Sequence, residues 1–275
     1  MNNIEYYYSS GNERIRSSEL AAWLLSRGIS AITTDEIATL LKIPRNQVSQ
    51  RLVSPKKRRE MVLLANGLWA PVPPEYMTWG APPAIEFIDA LMSHVHSKYY
   101  IGWLSAAALH GASHQASQVF QVATSQAIRE KTIGRSRLRF YQREHIDHIA
   151  TIKIETKSGT VSLSSRETTL LDIANDIKMV GGIDNAANLV IELCETSAPD
   201  THTLAVLSEQ YPLSAIRRLG YLLENFTDVP DLECLKLICA EQKTSVSLLD
   251  PQSPNTGVID RSWHLKINRE VNPDI

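Results

Sequence analysis

Three cysteines in 275 residues, Cys194, Cys234 and Cys239, are too few for a disulfide framework, and their odd number points to reduced thiols. Cys234 and Cys239 lie five apart with no second pair, so a zinc site is not indicated. Long apolar runs are missing too: nothing reaches the roughly 18 residues a membrane helix needs, and the opening MNNIEYYYSSGNERIR has no apolar core of signal-peptide length. The expectation is a soluble, cytoplasmic protein with no membrane partner. The marks of common catalytic sites are also absent, with no GxSxG, no GxxxxGK[ST] and no GxGxxG. Gly181-Gly182-Ile183-Asp184 reads as a turn before a helix, and Asp172, within a helical pattern, as a local polar contact. The pairs His94/His96 and His110/His114 lack the glutamate of a metalloprotease helix. No catalytic residue, metal site or cofactor is expected.

What the chain does have is ample core, at 43% hydrophobic residues, and a charge asymmetry hidden under a net charge of −2. Residues 1–79 hold 10 Lys or Arg against 7 Asp or Glu, a balance of +3, and the remainder 18 against 23, a balance of −5. A basic head on a mildly acidic body suits a DNA-binding module joined to a regulatory or effector domain.

That head is organised around Thr33 to Val72. Thr33 followed by Glu36 forms a capping box, and Ile37, Ala38, Leu40 and Leu41 make the inward stripe of the helix it opens. Lys42-Ile43-Pro44 breaks that helix, and Pro44 can open the next. In the second helix Val48 and Leu52 point inward and leave Arg45, Asn46, Gln47, Ser49, Gln50 and Arg51 on the surface. These are side chains that read base edges, Arg on guanine and Asn or Gln on adenine, at about 1–3 kcal/mol per good pair. From Ile37 to Arg59 there are seven basic residues and no acidic one, including a bridge of Lys56, Lys57, Arg58 and Arg59 suited to phosphates. Then MVLLA and LWAPV flank Asn66-Gly67, a type I′ hairpin signal, as a candidate wing. The order predicts a winged helix-turn-helix; the plainer alternative is an amphipathic helical hairpin with a solvated charge run. The candidate DNA contacts are Thr33, Thr34, Arg45, Asn46, Gln47, Ser49, Gln50, Arg51, Lys56, Lys57, Arg58, Arg59 and Asn66.

Ahead of this stretch, Ser17 to Arg27 reads as a supporting helix stopped by Gly28. Behind it, five prolines between Pro71 and Pro83 mark a semi-stiff connection. The division predicted is 1–79 for the DNA-binding head with its linker and 80–275 for a larger mixed α+β domain. In that domain Ile85–His94 and Tyr99–Gly111 read as helices, and Val119–Ala123 and Arg137–Gln142 as strands. A hairpin joins Thr151–Glu155 to Val161–Leu163. Ser164 and Glu167 form a second capping box for the helix that follows. Further helices are expected over Asn185–Cys194, Thr203–Glu209, Ser214–Glu224 and Leu232–Glu241. The tail beyond Asp250 reads as loosely held, with one strand near Trp263–Ile267.

Arg135, Arg137 and Arg139 alternate, so on a strand they share one face, with Arg129, Lys131 and Arg143 nearby. This is either a second basic surface extending the DNA footprint or a solvated strand whose charges block edge pairing. Arg217 and Arg218 read as structural, in an ion pair near Glu224, rather than as an anion site.

Three segments, YYIGWLSAAALHGASHQASQVFQVAT (Tyr99 to Thr124), VSLSSRETTLLDIA (Val161 to Ala174) and AIRRLGYLLE (Ala215 to Glu224), follow the winged-helix head in order. In these the chain resembles the AbiEi antitoxins of type IV toxin–antitoxin systems of bacterial abortive infection. The resemblance implies an α+β protein in which an N-terminal winged helix-turn-helix precedes a larger mixed α+β C-terminal antitoxin domain. It implies binding to double-stranded operator DNA, at inverted repeats, with repression of the protein's own operon. It also implies that the C-terminal domain counters a nucleotidyltransferase-like toxin without a stable complex. The family defines no catalytic residues. The other class consistent with the sequence is a ligand-responsive transcriptional regulator, whose C-terminal domain senses a small molecule or protein.

Overall fold

The computed structural model describes residues 15–112, 119–241 and 245–274. The fold is mixed α+β, a winged helix-turn-helix head followed by a larger α+β body.

Helix α1 (Leu20–Ser26) leads through Gly28, at φ 67°, into the short strand β1 (Ile32–Thr33) and helix α2 (Thr34–Leu41). The expected capping box forms: Thr33 Oγ1 accepts from the Glu36 amide at 3.3 Å, and the Thr33 amide donates to Glu36 Oε2 at 2.7 Å. Lys42 takes a left-handed conformation, φ 54°, that ends the helix.

The second helix departs from the reading above, because it is segmented. A 3-10 turn (Arg45–Gln47) runs into α3 (Val48–Arg51) and then α4 (Val53–Lys57). Pro55 is the cause: it has no amide to give, and its ring excludes the carbonyl of Arg51, so the helical ladder breaks at Leu52. The bridge expected at Lys56 and Lys57 is therefore helical, with Pro55 buried beneath it.

Strands β2 (Met61–Ala65) and β3 (Leu68–Pro71) complete a three-stranded sheet in the order β1-β3-β2. Asn66 does not take positive φ and Gly67 does, at 83°, so the type I′ turn is not formed; a register shift between Leu63 and Ala65 absorbs the difference.

In the body, residues 99–111 divide. Tyr99–Ile101 is strand β4, and Gly102 caps α6 (Trp103–Leu109), preceded by α5 (Ile88–His94). Strands β5 (Val119–Thr124), β6 (Lys131–Ile133), β7 (Ser136–Gln142), β8 (Thr151–Thr156) and β9 (Gly159–Ser164) join β4 in a six-stranded sheet, order β6-β7-β5-β4-β9-β8. Its two faces follow the period of two. Ile101, Val122, Leu138, Phe140 and Leu163 pack with α5 and with Leu64, Leu68 and Ala70 of the head's hairpin. Tyr100 and Ala123 face the other way, into a helical layer.

That layer comprises α7 (Arg166–Asn175), α8 (Ile183–Thr196), α9 (Thr201–Leu207), α10 (Leu213–Phe226) and α11 (Glu233–Glu241). The cap of α7 is Ser165, which accepts from the Thr168 amide at 3.1 Å, and not Ser164. Ser164 is still in β9, its hydroxyl donating to the Ile101 carbonyl at 3.2 Å. The tail is packed rather than loose: β10 (Ser247–Leu248), β11 (Val258–Asp260) and β12 (Leu265–Ile267) form a third sheet, and Trp263 is fully buried.

Candidate nucleic-acid interface

The helix-turn-helix buries Val48 and Leu52 completely against Ile37 and Leu24 and so turns the rest of Arg45–Arg51 outward. Arg45, Asn46, Gln47, Ser49, Gln50 and Arg51 are all exposed. The charge run is less free than it reads. Its two acidic partners stand just outside it: Arg45 Nε meets Asp35 at 2.6 Å, and Arg58 meets Glu60 at 2.7 Å while also donating to Ser54 Oγ at 2.7 Å. Both pairs lie at the surface, where water screens them and their net contribution is small. Lys42, Arg51, Lys56 and Lys57 make no ion pair among the described residues.

Thr33, Thr34 and Asn66 form a different group. The Thr33 side chain serves the cap, Thr34 Oγ1 accepts from Trp69 Nε1 at 3.1 Å, and the Asn66 carbonyl lies 2.9 Å from His94 Nε2 on α5. The hairpin tip is thus seated on the body, and its turn carries no cation. Beside it lies a cleft of about 360 Å³ between head and body, with Ser30, Thr33, Glu36, Glu86, Asp89 and His94 on its walls.

The second basic cluster is divided by its partners. Arg137 and Arg139 lie on β7 and both donate to Glu130, which they hold below the usual carboxylate range. Arg135 is in the turn before β7 rather than on the strand, and with Arg129 it is exposed, while Lys131 on β6 is half-buried. β6, not β7, is the sheet edge. Arg143 does not belong to this surface. It is drawn inward to Asp172, donates to the Tyr100 hydroxyl at 2.7 Å, and lies 4.5 Å from the ring centre of Tyr211.

That inward turn builds a buried polar group the sequence did not disclose. Asp172 is wholly buried on α7 and accepts from Tyr100 at 3.1 Å and from Tyr211 at 2.7 Å as well as from Arg143. Burial pushes its carboxyl up, against the pull of Arg143 and of the Tyr211 hydrogen bond. Burial also drives the phenols of Tyr100 and Tyr211 far above their ordinary value, so both stay protonated donors. The group ties β4, α7 and α10's leading loop together. Arg217 and Arg218 are structural, as read, but not through Glu224. They donate to backbone carbonyls, Arg217 to Ser245 at 2.7 Å and Arg218 to Leu248 at 2.9 Å and Ala174 at 3.1 Å. Of the histidines, His94 is on Asn66 and His110 on the Ser164 carbonyl at 2.8 Å; His114 lies outside the described residues.

Residues 100–225, from β4 to the end of α10, match the family described as the AbiEi antitoxin C-terminal domain. The chain carries an AbiEi antitoxin domain. A solved structure, the RV2827C protein from Mycobacterium tuberculosis, superimposes on this chain with a TM-score of 0.65 over 93% of each chain at 16% identity, a likeness of fold. An antigenic nucleotidyltransferase-like protein from Paracoccidioides brasiliensis overlaps 57% of this chain and 96% of its own at 11% identity, with a TM-score of only 0.31. No curated protein matches. The AbiEi antitoxins are a regulatory rather than an enzymatic kind of protein. Among the described residues no helix is long and apolar enough to cross a membrane.

Proposed function

We propose that this protein is the antitoxin of a type IV toxin–antitoxin system that represses its own operon. The observation that carries the reading is the exposed set Arg45, Asn46, Gln47, Ser49, Gln50 and Arg51, presented by a winged-helix topology in the same chain as an AbiEi antitoxin domain. Residues 1–79 bind double-stranded operator DNA at inverted repeats. Arg45, Asn46, Gln47, Ser49, Gln50 and Arg51 read bases, and Lys56, Lys57, Arg58 and Arg59 hold phosphates. Arg129, Lys131, Arg135, Arg137 and Arg139 extend the footprint on the body. Residues 80–275 counter a nucleotidyltransferase-like toxin without a stable complex, in the cytoplasm and without catalysis by this chain.

Gel shift on the DNA upstream of the gene tests the head, comparing wild type with Arg45→Ala plus Gln47→Ala. The reading expects sequence-specific binding that the double variant loses; equal, sequence-blind binding by both would overturn it. Rescue of cells expressing a co-transcribed nucleotidyltransferase-like protein tests the body. The second reading, a ligand-responsive regulator, draws on one observation, the polar cleft between head and body. A small molecule that protects the protein thermally and shifts operator affinity would favour it.

A further inference from the structure

Trp79 is 46% exposed, in a segment that is otherwise firmly held. Its amide donates to the Tyr76 carbonyl at 2.9 Å, as does that of Gly80 at 3.0 Å, and prolines flank the turn on both sides. The Tyr76 ring lies next to the indole, centroids 5.7 Å apart and tilted by 48°. The backbone that carries the indole is thus ordered before a ligand arrives, which lowers the cost of using it as a stacking platform.

The surroundings of the turn are cationic. Arg59, the last residue of the head's basic run, donates to the Thr78 carbonyl at 3.2 Å. From the other side the turn between β6 and β7 closes in: a Cβ on Gly134 would strike the Trp79 carbonyl and Ala81. This backbone contact sets Arg135, the next residue, beside the same turn. Arg59 and Arg135 make no ion pair among the described residues, unlike Arg137 and Arg139. Glu75, the acidic residue of the segment, lines a cleft with Tyr76, Leu25 and Pro71, and Trp79 is not among that cleft's lining residues.

We propose that Trp79, next to Tyr76 and bracketed by Arg59 and Arg135, is a stacking site for an unpaired base of single-stranded nucleic acid. The chemistry selects the ligand. A flat aromatic face takes another π face, and the flanking guanidinium groups take the phosphates on either side of it. In a duplex the base faces are covered by their neighbours, so the indole favours an unstacked strand. The site uses none of the base-reading residues Arg45 to Arg51; it shares Arg59 and Arg135 with the phosphate-holding surface of the proposed function, so Trp79 is the residue that tells the two apart.

Fluorescence anisotropy of the full chain with short labelled single strands of DNA and of RNA, and with the matching duplex, tests this. Wild type is expected to bind single strands better than a duplex of unrelated sequence. Trp79→Ala should lose about tenfold or more in that affinity, and Trp79→Phe should keep most of it. Arg59→Ala plus Arg135→Ala should weaken binding and flatten its salt dependence, and should do so more than Arg45→Ala plus Gln47→Ala does. Thermal unfolding of each variant guards against loss of fold. Three results would each overturn the assignment: no preference for single strands, unchanged affinity in Trp79→Ala, or loss of operator-duplex binding in Trp79→Ala to the same extent as single-strand binding. Failure of the operator reading alone would leave the single-strand result standing.

Discussion

The indole of Trp263 fills the space where a Cβ on residue 220 would lie, and only a glycine at 220 leaves room for it. Trp263 is fully buried, and its Nε1 donates to Glu224 Oε2 at 2.6 Å one turn along α10. Lys236 on α11 meets Glu224 at 2.7 Å, so one tryptophan joins the tail to two helices. Gly220→Ala should therefore destabilise the protein by overpacking, about 1–3 kcal/mol, and Trp263→Ala by roughly 3–5 kcal/mol through the cavity it leaves. Urea unfolding measures both. A Gly220→Ala protein as stable as wild type would show that the tail is not locked against α10.

Arg143 and Asp172 make a second test, because Arg143 could be taken for a DNA contact and the structure makes it a core residue. Removing the guanidinium leaves a carboxylate in a fully buried site, which costs about 3–5 kcal/mol when such a pair is broken. Arg143→Met should lower stability by that order, and Arg143→Met combined with Asp172→Leu should recover part of the loss. If Arg143→Met instead kept full stability and lost only DNA affinity, the buried assignment would fall.

The contrast between these residues shows what the amino-acid sequence can disclose. The capping box at Thr33 and Glu36 was legible because both partners lie within one helical turn and the chemistry is local. Val48 and Leu52 were legible because spacing alone puts them on one face. The partners of Asp172 lie 29, 39 and 72 residues away, at Arg143, Tyr211 and Tyr100, and no local pattern marks them. Tyr99–Ile101 read as helix because the alanine-rich run that follows extends a helical pattern backward across Gly102, whereas pairing with β5 and β9 decides the matter. Ser164 and Ser165 offered two caps one residue apart, and β9 took the first. The packed tail was missed because its anchor is a glycine at a distance.

Glu130 holds Arg137 and Arg139 together and so mutes the basic surface of the body. If these arginines extend the operator footprint, Glu130→Gln should free two cations for phosphates. Operator affinity should rise at low salt, and the slope of its logarithm against that of salt should steepen by about 1–2. Gel shifts across a salt series read this. No change in either would leave Arg137 and Arg139 as a solvated strand face.

His110 makes stability fall as pH drops below the ordinary histidine value. At the end of α6 its Nε2 is on the Ser164 carbonyl, and burial, aided by nearby Arg166, lowers its pKa from the ordinary 6.5, outweighing the Ser164 carbonyl and Glu167, which favour the charged ring. In the unfolded chain the ring returns to the ordinary value. As pH falls through that value the unfolded state takes up a proton that the folded state still refuses, so stability drops, and the drop continues until the lowered folded value is reached. Above the ordinary value both states are neutral and His110 contributes no slope. His110→Gln keeps a polar side chain near the Ser164 carbonyl but cannot titrate. Unfolding free energies of the two proteins should therefore run parallel above about pH 7 and diverge between about pH 6.5 and pH 5, wild type falling more steeply. The difference between the curves isolates His110 from the other histidines and from the carboxylates. Curves that stay parallel to pH 5 would mean that the His110 ring is protonated in the fold as readily as outside it, and that its place against Ser164 does not depend on the neutral form.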